Sequence, residues 1–350
     1  MKITKQISIG GVLVGGGASV KIQSMTTTKT ANVEQTVKQI SRLEQAGCEI
    51  VRVAIADEAD AVAVKSVVDK IHIPLVADIH FSPKLAVLAI ENGAHKVRIN
   101  PGNIGGEKEI SYVADCVKAH NIPVRVGSNT GSIEKNFLEK YGKSAESLVE
   151  SALYNVGILE RFGVNDIAIS VKASDVKLTV DAYMLLANRT SYPLHLGVTE
   201  AGTTEAGIVK SAVGIGSLLL NGIGDTIRVS LTDDPVKEIY AAKHILRACG
   251  LDEAFAEVVS CPTCGRCSWD SMGLAEKVTN YVKDCKKRIK IAVMGCVVNG
   301  PGEAKDADLG IAGGNGSCLI FKKGEPFKKV AAENAEEEFF KEIRALVYGE

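Results

Sequence analysis

The chain carries almost no net charge: 41 lysines and arginines stand against 42 aspartates and glutamates, a formal balance of −1. That excludes bulk attraction to nucleic acid or to an anionic membrane, so any positive potential must be local. No apolar run approaches the roughly 18 residues a membrane-spanning helix needs. The most leader-like stretch, Lys2 and Lys5 ahead of Ile7 to Val20, holds five glycines in fourteen residues. Alternation in Ile7-Ser8-Ile9 and Val12-Leu13-Val14 predicts a hairpin there, and a cytoplasmic protein is expected. A dinucleotide fingerprint is missing as well. Gly214-Ile215-Gly216 and Asn221-Gly222-Ile223-Gly224 precede a strand-like run instead of following one, and read as a helix and its C-terminal turn. Asn188-Arg189-Thr190 and Asn315-Gly316-Ser317 match the glycosylation pattern, which carries no meaning in a cytoplasmic protein.

What is present is a regular alternation. A length of 350 residues allows about two domains, and 46% apolar with 24% charged residues suits a globular protein. Strand-like runs at Val20–Met25, Ile50–Ile55, Pro74–Ile79, Lys96–Asn100, Pro123–Gly127, Asp166–Val171, Pro193–Val198 and Thr226–Ser230 alternate with amphipathic stretches such as Val33–Ala46, Glu58–Val68 and Pro235–Ala248. Successive starts lie 22 to 43 residues apart, the spacing of βα units. Eight units predict an α/β fold, a (β/α)8 TIM barrel over residues 1–250, followed by a small α+β domain over 251–350.

Polar residues fall at the ends of these runs: Gln23, Ser24, Arg52, Asp78, His80, Arg98, Asn100, Arg125, Ser128, Asn129, Ser170, Lys172, His195, Thr199, Glu200, Arg228 and Ser230. In a barrel they converge on the C-terminal mouth, where active sites lie. Arg52, Arg98, Arg125, Lys172 and Arg228 put five cations there, and such forks and point charges imply a ligand with about two phosphates. His80 and His195 read equally well as ordinary buried histidines. Glu200 is either a proton donor or a neutraliser of the arginines.

The nine cysteines are unevenly placed. Cys48, Cys116 and Cys249 read as small buried hydrophobes, whereas Cys261, Cys264, Cys267, Cys285, Cys296 and Cys318 crowd the last quarter. Cys261-Pro262-Thr263-Cys264 and Cys296 through Glu303 offer three thiolates and a carboxylate. Such a set suits an iron–sulfur cluster with a reactive iron, whereas closed structural zinc wants a fourth sulfur or nitrogen. A second CxxC or histidine pair, which a zinc interaction module would use, is lacking. Asn299-Gly300-Pro301-Gly302 predicts a tight turn returning Glu303 toward Cys296. A solvent-facing Glu303 stays open, as does Cys267 as competing fourth ligand. Around these, Met272–Lys287 reads as a helix, Lys290–Cys296, Ile311–Gly314 and Leu319–Lys322 as strands, and Ala335–Tyr348 as a closing helix with Asn334 at its N-cap.

Cys-Pro-Thr-Cys-Gly-Arg at 261–266 and Met-Gly-Cys-Val-Val-Asn-Gly-Pro-Gly-Glu at 294–303 resemble the 4-hydroxy-3-methylbut-2-enyl diphosphate synthase family of the non-mevalonate isoprenoid pathway, in its two-domain form. The resemblance extends through Gln23–Thr26, Ala77–His80, Val97–Asn103, Arg125–Asn129, Ser170–Ser174 and Gly197–Gly202. It implies a [4Fe–4S] cluster on Cys261, Cys264, Cys296 and Glu303, and a substrate, 2-C-methyl-D-erythritol 2,4-cyclodiphosphate, opened and dehydroxylated by two electrons. It implies diphosphate binding by Arg52, Arg98, Arg125, Asn129, Lys172, Arg228 and Ser230, with His80, Asn100, Thr199 and Glu200 at the mouth. His80, Glu200 and Glu303 are the expected catalytic groups. Flavodoxin or ferredoxin would supply electrons, and no motif decides between them. Cys267 departs from the family pattern.

An alternative remains: a phosphate-binding aldolase with Lys172 as Schiff-base nucleophile and a structural zinc site. Assembly can also be anticipated. The helix Pro235–Ala248 must run about 20 Å back from the mouth, leaving only a short linker, Gly250 to Ser260, before the cysteines. A head-to-tail homodimer, each cluster capping the partner's mouth, resolves the distance.

Overall fold

The computed structural model describes residues 2–252, 255–283, 285–298, 300–314 and 316–349. Asp284 in the expected helix 272–287, Asn299 in the expected turn and Asn315 lie outside the described residues. The chain separates into two compact units, Met1–Leu251 and Asp252–Glu350.

The first unit opens with a hairpin, β1 (Ile7–Ile9) and β2 (Val12–Val14), paired antiparallel around Gly10 and Gly11. Both glycines have positive φ (52° and 91°), as a two-residue turn matching strand twist requires. Eight parallel strands follow: β3 (Lys21–Met25), β4 (Ile50–Ala54), β5 (Leu75–Asp78), β6 (Lys96–Ile99), β7 (Val124–Asn129), β8 (Ile167–Lys172), β9 (His195–Leu196) and β10 (Thr226–Ile227). They are ordered β8-β7-β6-β5-β4-β3-β10-β9, and a parallel bridge from Ile169 to Leu194 closes the ring. All eight expected strands exist. The last two are shorter than expected, for a visible reason. The ladder continues only to Arg228 N–H on Leu196 O (3.0 Å), after which Thr199 N–H turns to Ala173 O (3.3 Å).

The helices Val33–Ala46, Glu58–Val68 and Pro235–Ala248 have the expected bounds. Asn32, Asp57, Ser82, Asp175 and Asp234 each accept a backbone N–H at a helix start just after a strand loop. These caps satisfy orphan donors and set the positive helix ends on the mouth side. Gly214 and Gly216 sit inside Thr204–Leu220, and Gly222 and Gly224 have positive φ in the turn beyond it.

Strand alternation builds two cores. Outward residues such as Val51, Val97, Val126, Ile169 and Ile227 pack under the helices. Inward residues Ile50, Val76 and Ala168 pack instead on Ile7, Ile9 and Val14 of the hairpin, which plugs the N-terminal floor. Backbone and side-chain bonds fix the segment, including Lys2 N–H to Gly222 O (2.8 Å) and Thr4 Oγ1–H to Asp225 Oδ1 (2.7 Å).

The second unit is a five-stranded sheet: β11 (Ala256–Ser260), β12 (Ile289–Met294), β13 (Leu309–Gly314), β14 (Ser317–Lys322) and β15 (Glu325–Ala331), in sequence order. β11, β12 and β13 run parallel, while β14 and β15 return antiparallel. One face, with Ile291, Val293 and Ile311, packs on the helices Ser271–Val282 and Ala335–Tyr348. The other, with Ala292, Met294 and Ala312, packs on Ala304 and Ala307.

Several local expectations need correction. β11 occupies part of the expected linker, so seven residues separate Ala248 from Ala256. The expected helix to Lys287 stops at Val282, where Cys285 N–H turns back to Val282 O (3.0 Å). β12 ends at Met294, two residues before Cys296. Asn334 stands at the N-cap, but its side chain does not cap, because a 3-10 turn (Ala332–Asn334) runs straight into the helix.

Candidate active site

The polar side chains of the barrel follow strand alternation. Arg52 on β4, Asp78 on β5, Arg98 on β6, Arg125 on β7 and Lys172 on β8 are all buried, and Asn100 just beyond β6 is buried as well. Arg228, Asn129, Thr199 and Ser230 are half-buried, and His80 and Glu200 are exposed. Arg125 is the second residue of its strand and only 2% exposed, so it lies deeper than the mouth position expected for it.

Asp78 organises this well. Its carboxylate is 3.1 Å from Arg98 Nη1, 3.5 Å from Arg52 Nε and 3.8 Å from His80 Nε2. Burial alone would raise its pKa, but Arg52, Arg98, Arg125 and His80 outweigh that and hold it down at about 2. On the far side Glu238 lies 3.6 Å from Arg228 Nε and accepts from Ser24 Oγ–H at 3.0 Å. Around these two carboxylates stand Arg52, Arg98, Arg125, Lys172 and Arg228, and Lys96 lies one inward position below Arg98. Burial and neighbouring arginines push Arg52 down to about 10, and push Arg125, Lys96 and Lys172 well below their ordinary values. Buried donors are left over: Arg98 Nε, Arg125 Nε and Nη1, Arg228 Nε and the side-chain amide of Gln23 have no hydrogen-bond partner. Arg52 spends two donors on Met25 Sδ (3.1 and 3.0 Å), a weak acceptor. Crowded, under-satisfied cations of this kind are suited to a polyanion.

Two glycines make room for them. A Cβ on Gly197 would stand 2.5 Å from Lys172 Nζ and 2.8 Å from Arg228 O. One on Gly127 would stand 3.0 Å from Arg98 Nε. Beside the well, Ala54, Ile55, Asp78, His80, Phe81 and Leu85 line a pocket of about 340 Å3. His195, left open as an ordinary histidine, is fully buried, with Nδ1 2.8 Å from Thr226 Oγ1 and Nε2 unpaired. Burial and the cations around it push its pKa well below the ordinary value, so it is neutral. Glu200 forms no ion pair with the arginines among the described residues, so neutralisation falls to Asp78 and Glu238 instead. Glu200 has a left-handed backbone (φ 52°), uncommon for a non-glycine and worth a functional reading.

The second site lies where β11 and β12 end. Ser260 pairs with Val293 in parallel register, so Cys261 and Cys296 leave adjacent strand ends. Cys261, Cys264, Cys296 and Glu303, with Arg266 and Met294, line one pocket of about 220 Å3. The Gly295 N–H already points at Cys261 Sγ (3.2 Å). The expected tight turn is a single helical turn, Gly300–Glu303, and neither Gly300 nor Gly302 has positive φ. Helical bonds explain it: Gly300 N–H reaches Cys296 O (3.2 Å) and Ala304 N–H reaches Gly300 O (3.1 Å). Glycine is still needed at 300, where a Cβ would stand 2.9 Å from Ala312 Cβ. Cys267 does not line the pocket, since its thiol donates to Trp269 O (3.2 Å) and lies 3.4 Å from Ser271 Oγ. No three histidine, cysteine or acidic side chains among the described residues close on a single point as one ion requires. The sulfurs and carboxylate instead wall a space several atoms wide, and their donor set fits a soft multi-atom cluster.

Sequence reasoning placed Gln23 and Asp78 at the mouth without an individual role, and missed Lys96 and Glu238. The signal available was strand period: Lys96 is in line with Arg98 and Asn100, and Gln23 with Met25.

Fold and site define a (β/α)8 barrel with a cationic well, joined in one chain to a sheet unit carrying a three-cysteine pocket. The chain belongs to the GcpE family: residues 4–243 match the GcpE TIM-barrel domain and residues 257–345 the GcpE protein C-terminal domain. It is 55% identical over 347 residues to the 4-hydroxy-3-methylbut-2-en-1-yl diphosphate synthase (flavodoxin) of Caldanaerobacter subterraneus subsp. tengcongensis, covering 99% of this chain and 98% of that one. It is 54% identical to the protein of that name from Clostridium perfringens, covering 99% of both. Among solved structures, dihydropteroate synthase from Stenotrophomonas maltophilia superposes with a TM-score of 0.52 at 11% identity. That match covers 69% of this chain and 97% of the other, a likeness of fold alone.

Proposed function

We propose that this chain catalyses the two-electron reductive ring opening and dehydroxylation of 2-C-methyl-D-erythritol 2,4-cyclodiphosphate to 4-hydroxy-3-methylbut-2-enyl diphosphate. The observation that carries the reading is the well, where five basic side chains gather around two carboxylates and buried donors stand unpaired, a match for a doubly anionic cyclodiphosphate. The names of relatives more than 50% identical over nearly the whole chain support the reaction.

Arg52, Arg98, Arg125, Lys172 and Arg228 neutralise the diphosphate, and Asn100, Asn129, Thr199 and Ser230 hydrogen-bond its oxygens. Asp78 keeps the Arg52 and Arg98 forks aimed before the ligand arrives. His80, 3.8 Å from the Asp78 carboxylate, and Glu200 on its left-handed turn are the groups placed to move protons at the leaving hydroxyl. Cys261, Cys264, Cys296 and Glu303 would hold a [4Fe–4S] cluster, which when bound supplies electrons singly at a Lewis-acidic iron. Glu303 is the hard, replaceable donor of that set and for that reason a catalytic group.

The electron donor in this reading is a flavodoxin, as the relatives' names have it, with ferredoxin as the alternative, and the setting is cytoplasmic. The assembly is a head-to-tail homodimer. The helix Pro235–Ala248 carries the chain away from the mouth, and only seven residues follow before β11. Each cysteine pocket then serves the partner's well.

Anaerobic purification tests the reading: a brown protein with about four irons per chain is expected. A colourless protein with one tightly held zinc overturns it. The depressed pKa of Lys172 also favours a second reading, a Schiff-base aldolase. Borohydride trapping of a substrate adduct on Lys172 would select it over the first.

A further inference from the structure

Lys96 opens β6 and points into the barrel, one inward position below Arg98 and two below Asn100. It is 1% exposed. It is rooted level with the apolar floor that Ile50, Val76 and Ala168 form against the hairpin, Val76 being its register partner on β5, so its amine has no polar company on that side. The charged and titratable groups that reach it are Arg52 from β4, Arg125 from β7 and His195 from β9. Asp78 on β5 and Arg98 on its own strand are paired with each other one layer higher. No carboxylate is paired with Lys96 among the described residues. A side chain about 6 Å long, rooted roughly 6 Å below Arg98, spans the depth from floor to well if it rises along the barrel axis.

We propose that Lys96 is a further ligand-binding residue, which holds the anionic end of the phosphorylated ligand from below. The inference rests on the proposed function for the identity of that ligand. Burial and two arginines push Lys96 well below the ordinary lysine value while the well is empty. A seated dianion reverses the sign of the local field. It draws one proton from solvent onto the Lys96 amine, making the ammonium that then pairs with phosphate oxygen. The sign of the linkage follows. Protons are taken up on binding only between the empty-well and ligand-bound pKa values, and across that window affinity falls as pH rises.

The test is calorimetric titration of the intact, cluster-loaded protein with 2-C-methyl-D-erythritol 2,4-cyclodiphosphate, with no electron donor present. Buffers of different ionisation heat are used between about pH 6 and pH 9. The ligand's strongly acidic phosphate groups stay ionised there, so any proton counted belongs to the protein. Wild type should take up about one proton more than Lys96→Met, and Lys96→Met should bind about tenfold or more weakly. Lys96→Arg should restore affinity without restoring uptake, because arginine stays charged throughout. Equal uptake in wild type and Lys96→Met, or none in wild type at any pH, overturns the proposal. If Lys96→Met fails to fold, the same comparison between wild type and Lys96→Arg decides it. Failure of the ligand to bind wild type at all overturns the proposed function, and this inference with it.

Discussion

Inside the barrel, strand side chains supply the anion-binding charge, and the loops just beyond them carry the groups proposed to move protons, His80 and Glu200. In the C-terminal unit the central strands β12 and β13 pack apolar side chains on both faces, and the chemistry sits on the turns that leave β11 and β12. The barrel can hold charge within its strands because each cation is surrounded by seven other strands and set over an apolar floor. An open five-stranded sheet has no such interior, so its functional groups must leave the strand ends. The two sites therefore differ in what disturbs them. The well depends on register and on small residues that leave space, and the cysteine pocket depends on where a loop is tied.

The sharpest separation of the two comes from Cys296→Ser. It should abolish turnover and lose the iron, yet bind the cyclodiphosphate as wild type does. Calorimetry beside iron analysis measures both, and weakened substrate binding would break the comparison. Mixing Lys172→Ala with Cys296→Ser under conditions of subunit exchange extends the test. Activity should return, since one mixed site pairs an intact well with an intact cluster, whereas confirmed exchange without activity puts both in one chain. Arg228→Ala should keep its iron and lose about 1.5–3 kcal/mol of substrate binding, roughly 10- to 150-fold in KM. Loss of iron with affinity intact would reverse the assignment of the well.

A smaller effect concerns pH and the barrel alone. Asp78 has its folded pKa depressed to about 2 from an ordinary 3.8, so it stabilises the fold above the ordinary value. That contribution, on the order of 2 kcal/mol, should vanish as pH falls from about 4 toward 2. Acid unfolding of wild type against Asp78→Asn reads it, and the variant should lack that segment of the pH dependence. Smallest of all, Cys267→Ser should leave iron content and turnover close to wild type, because its sulfur faces Trp269 and Ser271 and not the pocket. Loss of iron in that variant would make Cys267 a ligand.

The same contrast explains what was legible beforehand. The eight barrel strands stood out because outward Val and Ile alternate with polar residues whose type is costly inside a protein. β15 did not, because Glu325-Pro326-Phe327-Lys328-Lys329 has the charges and proline of a loop, and these are tolerated at a sheet edge. β11 was hidden in the expected linker because only Val258 and Val259 of Ala256–Ser260 have the look of a strand. The five arginine and lysine positions were visible as residue types. Lys96 and Glu238 were not, since nothing in a lone strand-start lysine or helix glutamate announces that the fold will turn it toward the well. The helical turn at Gly300–Glu303 went unread because Gly-Pro-Gly favours turns locally, and only packing against Ala312 and Met294 shows why glycine is required there.

The hairpin that floors the barrel also sets a timetable. Ile7, Ile9 and Val14 leave the ribosome well before their seat, which is formed by Ile50, Val76 and Ala168. Their tethers reach on to Gly222 and Asp225. The hairpin must therefore wait, unpaired with its final neighbours, until some two hundred further residues have emerged. A five-residue glycine content in that stretch keeps the waiting segment short of apolar surface, and the well becomes dry from below only when synthesis of the barrel is complete.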